Sequence, residues 1–331
     1  MTDAVREGLR RFLAARWGRE VSIPWLSVTS AGARRLNVLF DADDGAQRHE
    51  LVVTAIPNAN IELTPILQEA LTIRSAEAAG VPVAHVVLDS DDPQWLGGGF
   101  FITRRIAGET VPRRVLRLVD RCGHGDLIAA RLGEALAALH AIPEAGIPSH
   151  FVRPENGHPA ANALLRLQEQ IDLLLQPSPV FSLGMRWLSA RCPPPPERCV
   201  LVHGDARNGN LIVSERGLEA ILDWEGASIS DPMADLAWPC LRTWRFGEDA
   251  REVGGFAGRV PLVAAYEAAG GTFDAHRFHW WKVLGTLRWG LGLAGQAKAH
   301  IDGSVPNIVM AASGRRVGEL EYDLMCLLRR G

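Results

Sequence analysis

The chain has 331 residues, 47% of them hydrophobic and 22% charged, enough for two domains or one two-lobed unit with a sizeable core. A formal net charge of −3 and a pI near 6.4 leave no basic excess, so nucleic acid is not an implied partner. Five cysteines without a repeated CxxC spacing, Cys122, Cys192, Cys199, Cys240 and Cys326, argue against a disulfide framework and for a reducing compartment.

In chain order, Val5, Leu9, Phe12, Leu13 and Trp17 recur at helical spacing among Arg6, Arg10, Arg11 and Arg16. This pattern reads as a helix packed on the first lobe in preference to one lying on a membrane. The beginning lacks the apolar core of a signal peptide, and no stretch reaches the ~18 apolar residues of a span, so the expectation is a cytoplasmic protein with no membrane partner. Strands are expected over Ile23 to Val28 and Leu36 to Phe40, flanking Ser30-Ala-Gly32-Ala-Arg34-Arg35, and over Leu51 to Ile56. Glu62 to Ala79 reads as a helix that contains Glu69 and stops at Gly80 and Pro82. Strands over Val83 to Leu88 and Gly99 to Ile106 surround a turn rich in Asp, Pro and Gly.

Beyond residue 104 the patterning turns helical: Asp126 to Ala141, with His140 as a structural residue near its end, then Ala161 to Leu175 and Phe181 to Arg191. Pro193 to Pro196 is a stiff connector. After residue 235 come helices over Val253 to Ala269, His276 to Ala297 and Asn307 to Arg329. Seven of the ten tryptophans fall between Trp187 and Trp289, and Trp280, Trp281 and Trp289 read as core or cleft-wall aromatics.

Between these blocks lies the run His203-Gly-Asp205-Ala-Arg-Asn-Gly-Asn210. The strand Cys199 to Val202 delivers His203 and Asp205 into a turn, and a later apolar run, Leu218 to Leu222, ends at Asp223 in Asp223-Trp-Glu225. Phosphoryl transfer to an alcohol needs a group that orients the hydroxyl and accepts its proton, and hard oxygen ligands for a metal that neutralises the phosphates. Asp205 suits the first task, and Asn210 and Asp223 suit the second. The D-x4-N spacing matches the catalytic loop of protein kinases, with Asp-Trp-Glu in place of Asp-Phe-Gly. Taken singly, each piece also reads as a strand-end turn or a helix cap.

Together, H-G-D-x4-N, Ile221-Leu-Asp223-Trp-Glu225 and Asp231-Pro-Met-Ala-Asp235 resemble the aminoglycoside phosphotransferase and choline kinase family, in particular the kinase-like domain fused to some acyl-CoA dehydrogenases. The resemblance implies an α+β, protein-kinase-like, two-lobed fold, with a small β-rich N-lobe over residues 1–103 and a larger, mainly helical C-lobe over 104–331. It implies ATP or GTP with Mg2+ as cofactors and a small hydroxylated molecule as acceptor. It places Gly32, Arg34 and Arg35 on a glycine-rich hairpin, Glu69 on the following helix, and Thr103, Arg104, Arg105 and Ile106 at an interlobe hinge whose backbone would meet the adenine. His203, Asp231 and Asp235 are expected to cap and brace the catalytic loop. Glu225 reaches either the metal's surroundings or the substrate.

Where the family usually carries a basic residue on its third strand, this chain has Thr54, and no lysine precedes Lys282. Either Arg34 or Arg35 reaches the phosphates, or the nucleotide is held weakly or differently, or the protein is a kinase-like binding module with little or no catalysis. The intact Asp205, Asn210 and Asp223 favour an active enzyme. Aminoglycosides are polycations, whereas Trp238 to Arg245, including Arg242 and Arg245, is aromatic and basic and the last residues include Arg329 and Arg330. That points to a neutral or anionic, partly apolar alcohol such as a hydroxyacyl thioester, not to an antibiotic amine.

Overall fold

Period-2 patterning in the first hundred residues builds one antiparallel sheet. Strand β2 (Leu36–Asp43) turns Leu36, Val38, Phe40 and Ala42 into the core, while Asn37 and Leu39 are only partly covered. In a computed structural model describing residues 2–31, 35–56 and 65–329, the other strands are β1 (Ser22–Ala31), β3 (Arg48–Ala55), β4 (Val86–Ser90) and β5 (Phe100–Arg104), in the order β1-β2-β3-β5-β4. The β2–β3 register runs unbroken from Leu36 opposite Ala55 to Asp43 opposite Arg48, which sets Thr54 opposite Asn37.

Helix α1 (Thr2–Trp17) lays Leu9, Phe12 and Leu13 against Val38, Phe40, Val53 and Phe100. Each such fully buried side chain contributes roughly 1.5–3 kcal/mol. The basic leading helix is therefore a packing element of this sheet. The expected helix around Glu69 is α2 (Ile66–Ala78), ending before Gly80 at φ 83°, and its expected first turn lies outside the described residues.

Two compact units emerge, and neither is contiguous in sequence. The first takes residues 1–108, 143–150 and 219–225, and the second takes 109–142, 151–218 and 226–331. A boundary after residue 103 cuts the chain once, whereas hydrogen bonds tie later segments into the first unit. Ile221 N–H donates to Pro82 O at 2.8 Å, and the Ser75 hydroxyl donates to Gly146 O.

A short helix, α3 (Pro93–Leu96), completes the first unit. The second is mainly helical: α4 (Pro112–Cys122), α5 (Gly125–Ala141), α6 (Pro159–Asp172), α7 (Pro179–Ala190), α8 (Pro232–Ala237), α9 (Arg259–Ala268), α10 (Ala275–Ile301), α11 (Ile308–Ser313) and α12 (Val317–Leu328). Short strands β6 (Val200–Val202), β7 (Leu211–Ser214), β8 (Gly217–Ile221) and β9 (Ser228–Ser230) frame the motif region. Four arginines mask the apolar face of α4, yet Val115, Leu116 and Val119 are buried and Pro112 and Gly123 punctuate its ends. The expected helix over 253–269 starts only at Arg259, because Val253 N–H closes a turn on to Ala257 O with Gly254 and Gly255 at positive φ. Likewise the expected helix over 307–329 divides around Gly314 into α11 and α12.

The core of this unit forms where α5 meets α9, with Ile128, Leu132, Leu136 and Leu139 fully buried. Gly133 permits the contact, since a Cβ there would lie 2.3 Å from Leu262 O. Helix α10, capped by Asp274, buries Trp280, Trp281, Leu284 and Leu287. Strand β6 pairs antiparallel with β9, Val202 opposite Ser228, so the chain entering His203 and the chain leading to Asp231 leave one small sheet together.

Candidate active site

The loop after β6 is held from beneath by one buried carboxylate. Asp235, on the first turn of α8, is fully buried and accepts from His203 N–H at 2.7 Å through Oδ2 and from Gly204 N–H at 2.7 Å through Oδ1. His140 Nε2 lies 3.2 Å from Asp235 Oδ2, and His140 Nδ1 lies 3.0 Å from the Tyr266 hydroxyl. Burial alone would raise the Asp235 carboxyl's pKa. The His140 hydrogen bond and charge, with the donors around it, hold it below the ordinary value instead. Gly204 is required here: its φ is 79°, and a Cβ would meet Gly226 O at 2.4 Å.

Asp231 caps α8 by accepting from Met233 N–H at 2.9 Å and pairs with Arg277 at 2.6 Å. Arg277 also donates to Pro194 O and Pro195 O, so the proline connector is tied to the same network.

Two residues on, Asp205 is oriented by three side chains. Oδ1 accepts from Trp238 Nε1 at 2.6 Å and Arg207 Nε at 3.0 Å, while Oδ2 accepts from Asn210 Nδ2 at 2.7 Å. His203 Nδ1 accepts from the Asp205 N–H at 3.1 Å. A carboxylate oxygen has room for two donors, so Oδ2 retains capacity for a ligand hydroxyl. The Asn210 amide nitrogen spends both hydrogens on Asp205, the second on its carbonyl at 3.0 Å, which leaves Oδ1 as the end suited to a cation.

A second cluster forms within the first unit. Arg35, at the foot of β2, pairs with Glu69 of α2 at 2.8 and 3.2 Å, with Glu225 at 2.8 Å and with Asp223 at 3.6 Å. Burial raises the pKa of Glu69, with Glu225 adding to it, and Arg35 opposes the rise. Burial acts against the Arg35 charge, but the three carboxylates outweigh it and raise its pKa. Asp223 holds a left-handed φ of 65° at the end of its strand, a conformation Asp tolerates better than most residues.

Gly32 and Arg34 lie outside the described residues. Thr54 Oγ1 donates to Asn37 Oδ1 at 2.9 Å, so this hydroxyl serves the sheet. The hinge residues are also more committed than expected. Thr103 sits between β3 and β4, Arg104 N–H donates to His85 O and Arg105 N–H to Glu50 O. The Arg105 side chain pairs with Asp41 and Glu50 and lies over Trp25.

Arg242 and Arg245 correct the sequence argument about acceptor charge. Arg242 is bound by Asp249 at 2.6 Å and Asp323 at 2.8 Å, and Arg245 donates to Asp249 O and Cys240 O. Both cations are spent inside the fold. Lys282, the first lysine of the chain, is ion-paired with Glu252. Arg207, Arg288 and His140 are the site neighbours that motif reading left without a role there, whereas Trp238 opened the segment read as the acceptor side. Arg207 had a signal, since it lies two residues after Asp205. Arg288, far along α10, had none.

The donor set suits a magnesium nucleotide. Within the first unit, Asp223 and Glu225 are carboxylates with side chains 38% and 44% exposed, paired with the Arg35 guanidinium. Among the described residues no three His, Cys, Asp or Glu side chains form a ready metal cage, and no helix is long and apolar enough to cross a membrane.

A family model described as "Phosphotransferase enzyme family" matches residues 25–280. Acyl-CoA dehydrogenase family member 11 of Gallus gallus is 27% identical over 223 residues, a match taking in 64% of this chain and 27% of that protein. The chain thus spans about a quarter of that relative's length. Among solved structures, a Ralstonia eutropha protein provisionally described as an aminoglycoside phosphotransferase superposes with a TM-score of 0.70 at 22% identity, covering 98% of each chain. A thermostable mutant of aminoglycoside phosphotransferase APH(4)-Ia, in complex with ADP and hygromycin B, gives a TM-score of 0.63 at 17% identity over 98% of this chain and 99% of that one. These likenesses establish the two-lobed, protein-kinase-like fold.

Proposed function

The chain belongs to the phosphotransferase enzyme family, and from that premise we propose that it transfers the γ-phosphate of ATP to a hydroxyl of a small molecule. The observation that carries this reading is the Asp205 carboxylate, oriented by Trp238, Arg207 and Asn210 with one acceptor position of Oδ2 left for a hydroxyl. In this proposal Asp205 orients the acceptor hydroxyl and takes its proton as the oxygen attacks phosphorus. Asp235 and His140 keep the loop rigid while that happens. Arg35, braced by Glu69, serves as the phosphate clamp in place of the absent strand lysine. Asn210 and Asp223 are the proposed ligands of Mg2+, which when bound neutralises charge on the phosphates.

A cavity of about 650 Å³, lined by Leu174, Phe181, Leu291, Gly292, Gly295 and Val317 among others but not by Asp205, lies further along α10 than Arg288. Arg288, Gly292 and Gly295 share one face of α10, so the helix that meets the catalytic loop also walls this cavity. The partial match to an acyl-CoA dehydrogenase relative adds acyl thioesters to the acceptors worth trying.

The test is ATP consumption over a panel of hydroxylated metabolites, with Asp205→Asn as control. Turnover should fall ~10²- to 10⁴-fold while nucleotide affinity changes little. Wild-type turnover in that variant would remove Asp205 from the mechanism.

A further inference from the structure

With Arg242 and Arg245 committed elsewhere, the cations near Asp205 are Arg207 and Arg288, and they differ. Arg207 is tied to Asp205 at 3.0 Å and lies over Trp244, its Cζ 4.2 Å from the ring centroid. Arg288 lies over Trp238 at 4.1 Å and makes a single long hydrogen bond, 3.3 Å, to Gly204 O. Trp238 is the same indole whose N–H grips Asp205. A guanidinium carries five N–H donors, so most of Arg288's remain for a ligand.

An exposed arginine ordinarily waves in solvent. This one is fixed by an aromatic face and a loop carbonyl beside the proposed base. The same cluster also holds spare donors: the Trp244 and Trp289 indole N–H groups are buried without a hydrogen-bond partner among the described residues.

We propose that Arg288 forms a recognition site for an oxyanion carried by the acceptor, a carboxylate or a phosphate on the alcohol whose hydroxyl Asp205 receives. The inference rests on the phosphotransferase reading and narrows its acceptor to anionic alcohols. Arg288 is then a specificity-determining residue: its planar fork suits bidentate pairing with either oxyanion, and its stacking on Trp238 presets the orientation. Arg207 stays with Asp205 throughout.

Two measurements test this and separate its failure from failure of the kinase reading. In the first, sulfate is titrated against the intrinsic tryptophan fluorescence of the protein saturated with ADP and Mg2+, because Trp238 lies under Arg288. A saturable change is expected in wild type and in Arg35→Ala, and its loss in Arg288→Gln. No saturable change in wild type, or an unchanged response in Arg288→Gln, overturns the proposal whatever the catalytic activity. The second measurement compares ATP consumption with matched hydroxycarboxylates, phosphorylated alcohols and neutral diols. Transfer should favour one anionic series, identifying the oxyanion. Arg288→Gln should raise the acceptor KM about 10- to 100-fold and leave the KM for ATP in place. Arg288→Lys should recover only part, because an ammonium lacks the fork. Efficient transfer to neutral diols that is indifferent to Arg288→Gln counts against the site. Nucleotide binding, followed separately by thermal shift, reports on the kinase reading alone.

Discussion

At the scale of single residues, the missing strand lysine is the decisive irregularity. Thr54 faces Asn37 and hydrogen-bonds to it, while Arg35, entering from the neighbouring strand, has taken the buried Glu69. One consequence is that two cations cannot share that carboxylate at no cost. Thr54→Lys in the wild-type background is expected to leave ATP kinetics unimproved or to destabilise the sheet. Arg35→Ala is expected to raise the apparent KM for ATP about 10- to 100-fold, the scale of a charge-assisted hydrogen bond to phosphate. It also strands Glu69, whose carboxyl burial already pushes upward, so Arg35→Lys serves as the milder variant. In the double variant Arg35→Ala, Thr54→Lys, the new ammonium can pair with Glu69 and recover part of the loss. Steady-state kinetics of the four proteins check this. Equal KM values throughout would leave the phosphates to backbone donors and metal.

At the scale of elements, the catalytic loop depends on the short α8, because Asp235 supplies both acceptors for the His203 and Gly204 amides. Asp235 is held below its ordinary pKa, against burial, by His140 and the amides. Its sign follows from linkage: the unfolded carboxyl binds a proton more readily than the folded one, so the stabilisation is present above the unfolded value near 3.9. It is lost as pH falls through the lower folded value. Asp235→Ala, which leaves His140 and two amides without their partner, should cost on the order of 3 kcal/mol near neutral pH. Denaturant unfolding between neutral and acid pH should show a shallower acid-side decline in Asp235→Asn than in wild type. Parallel profiles would place the acid sensitivity elsewhere.

At the scale of the whole molecule, nucleotide and metal binding should appear as added stability, since a ligand of the native state raises unfolding free energy by mass action. The gain is about 2.7 kcal/mol at a hundred times Kd. Melting with ATP and Mg2+, compared with ATP and chelator, should show a magnesium-dependent rise that Asp223→Ala abolishes. Identical curves in all four conditions would favour a binding module over an enzyme. What the sequence by itself determined was carried by neighbours along the chain: the alternating strands of the first sheet, the helix stop at Gly80, and the Asp205-to-Asn210 loop whose five-residue span closes on itself in a 2.7 Å hydrogen bond, though not the local breaks at Gly254 and Gly314. The missing strand lysine left three readings open along the chain: Arg34 or Arg35 on the phosphates, a nucleotide held weakly or differently, or a binding module. Only tertiary structure decided which arginines are spent and which remain. Arg242 met Asp323 from 81 positions away, Arg277 met Asp231 and the proline connector, and Arg288 came to Trp238 from the middle of α10. The physical reason is that hydrophobic period and turn chemistry act within a few residues. An ion pair is set instead by which long side chains the packed helices bring within a few ångströms, and no local pattern records that distance.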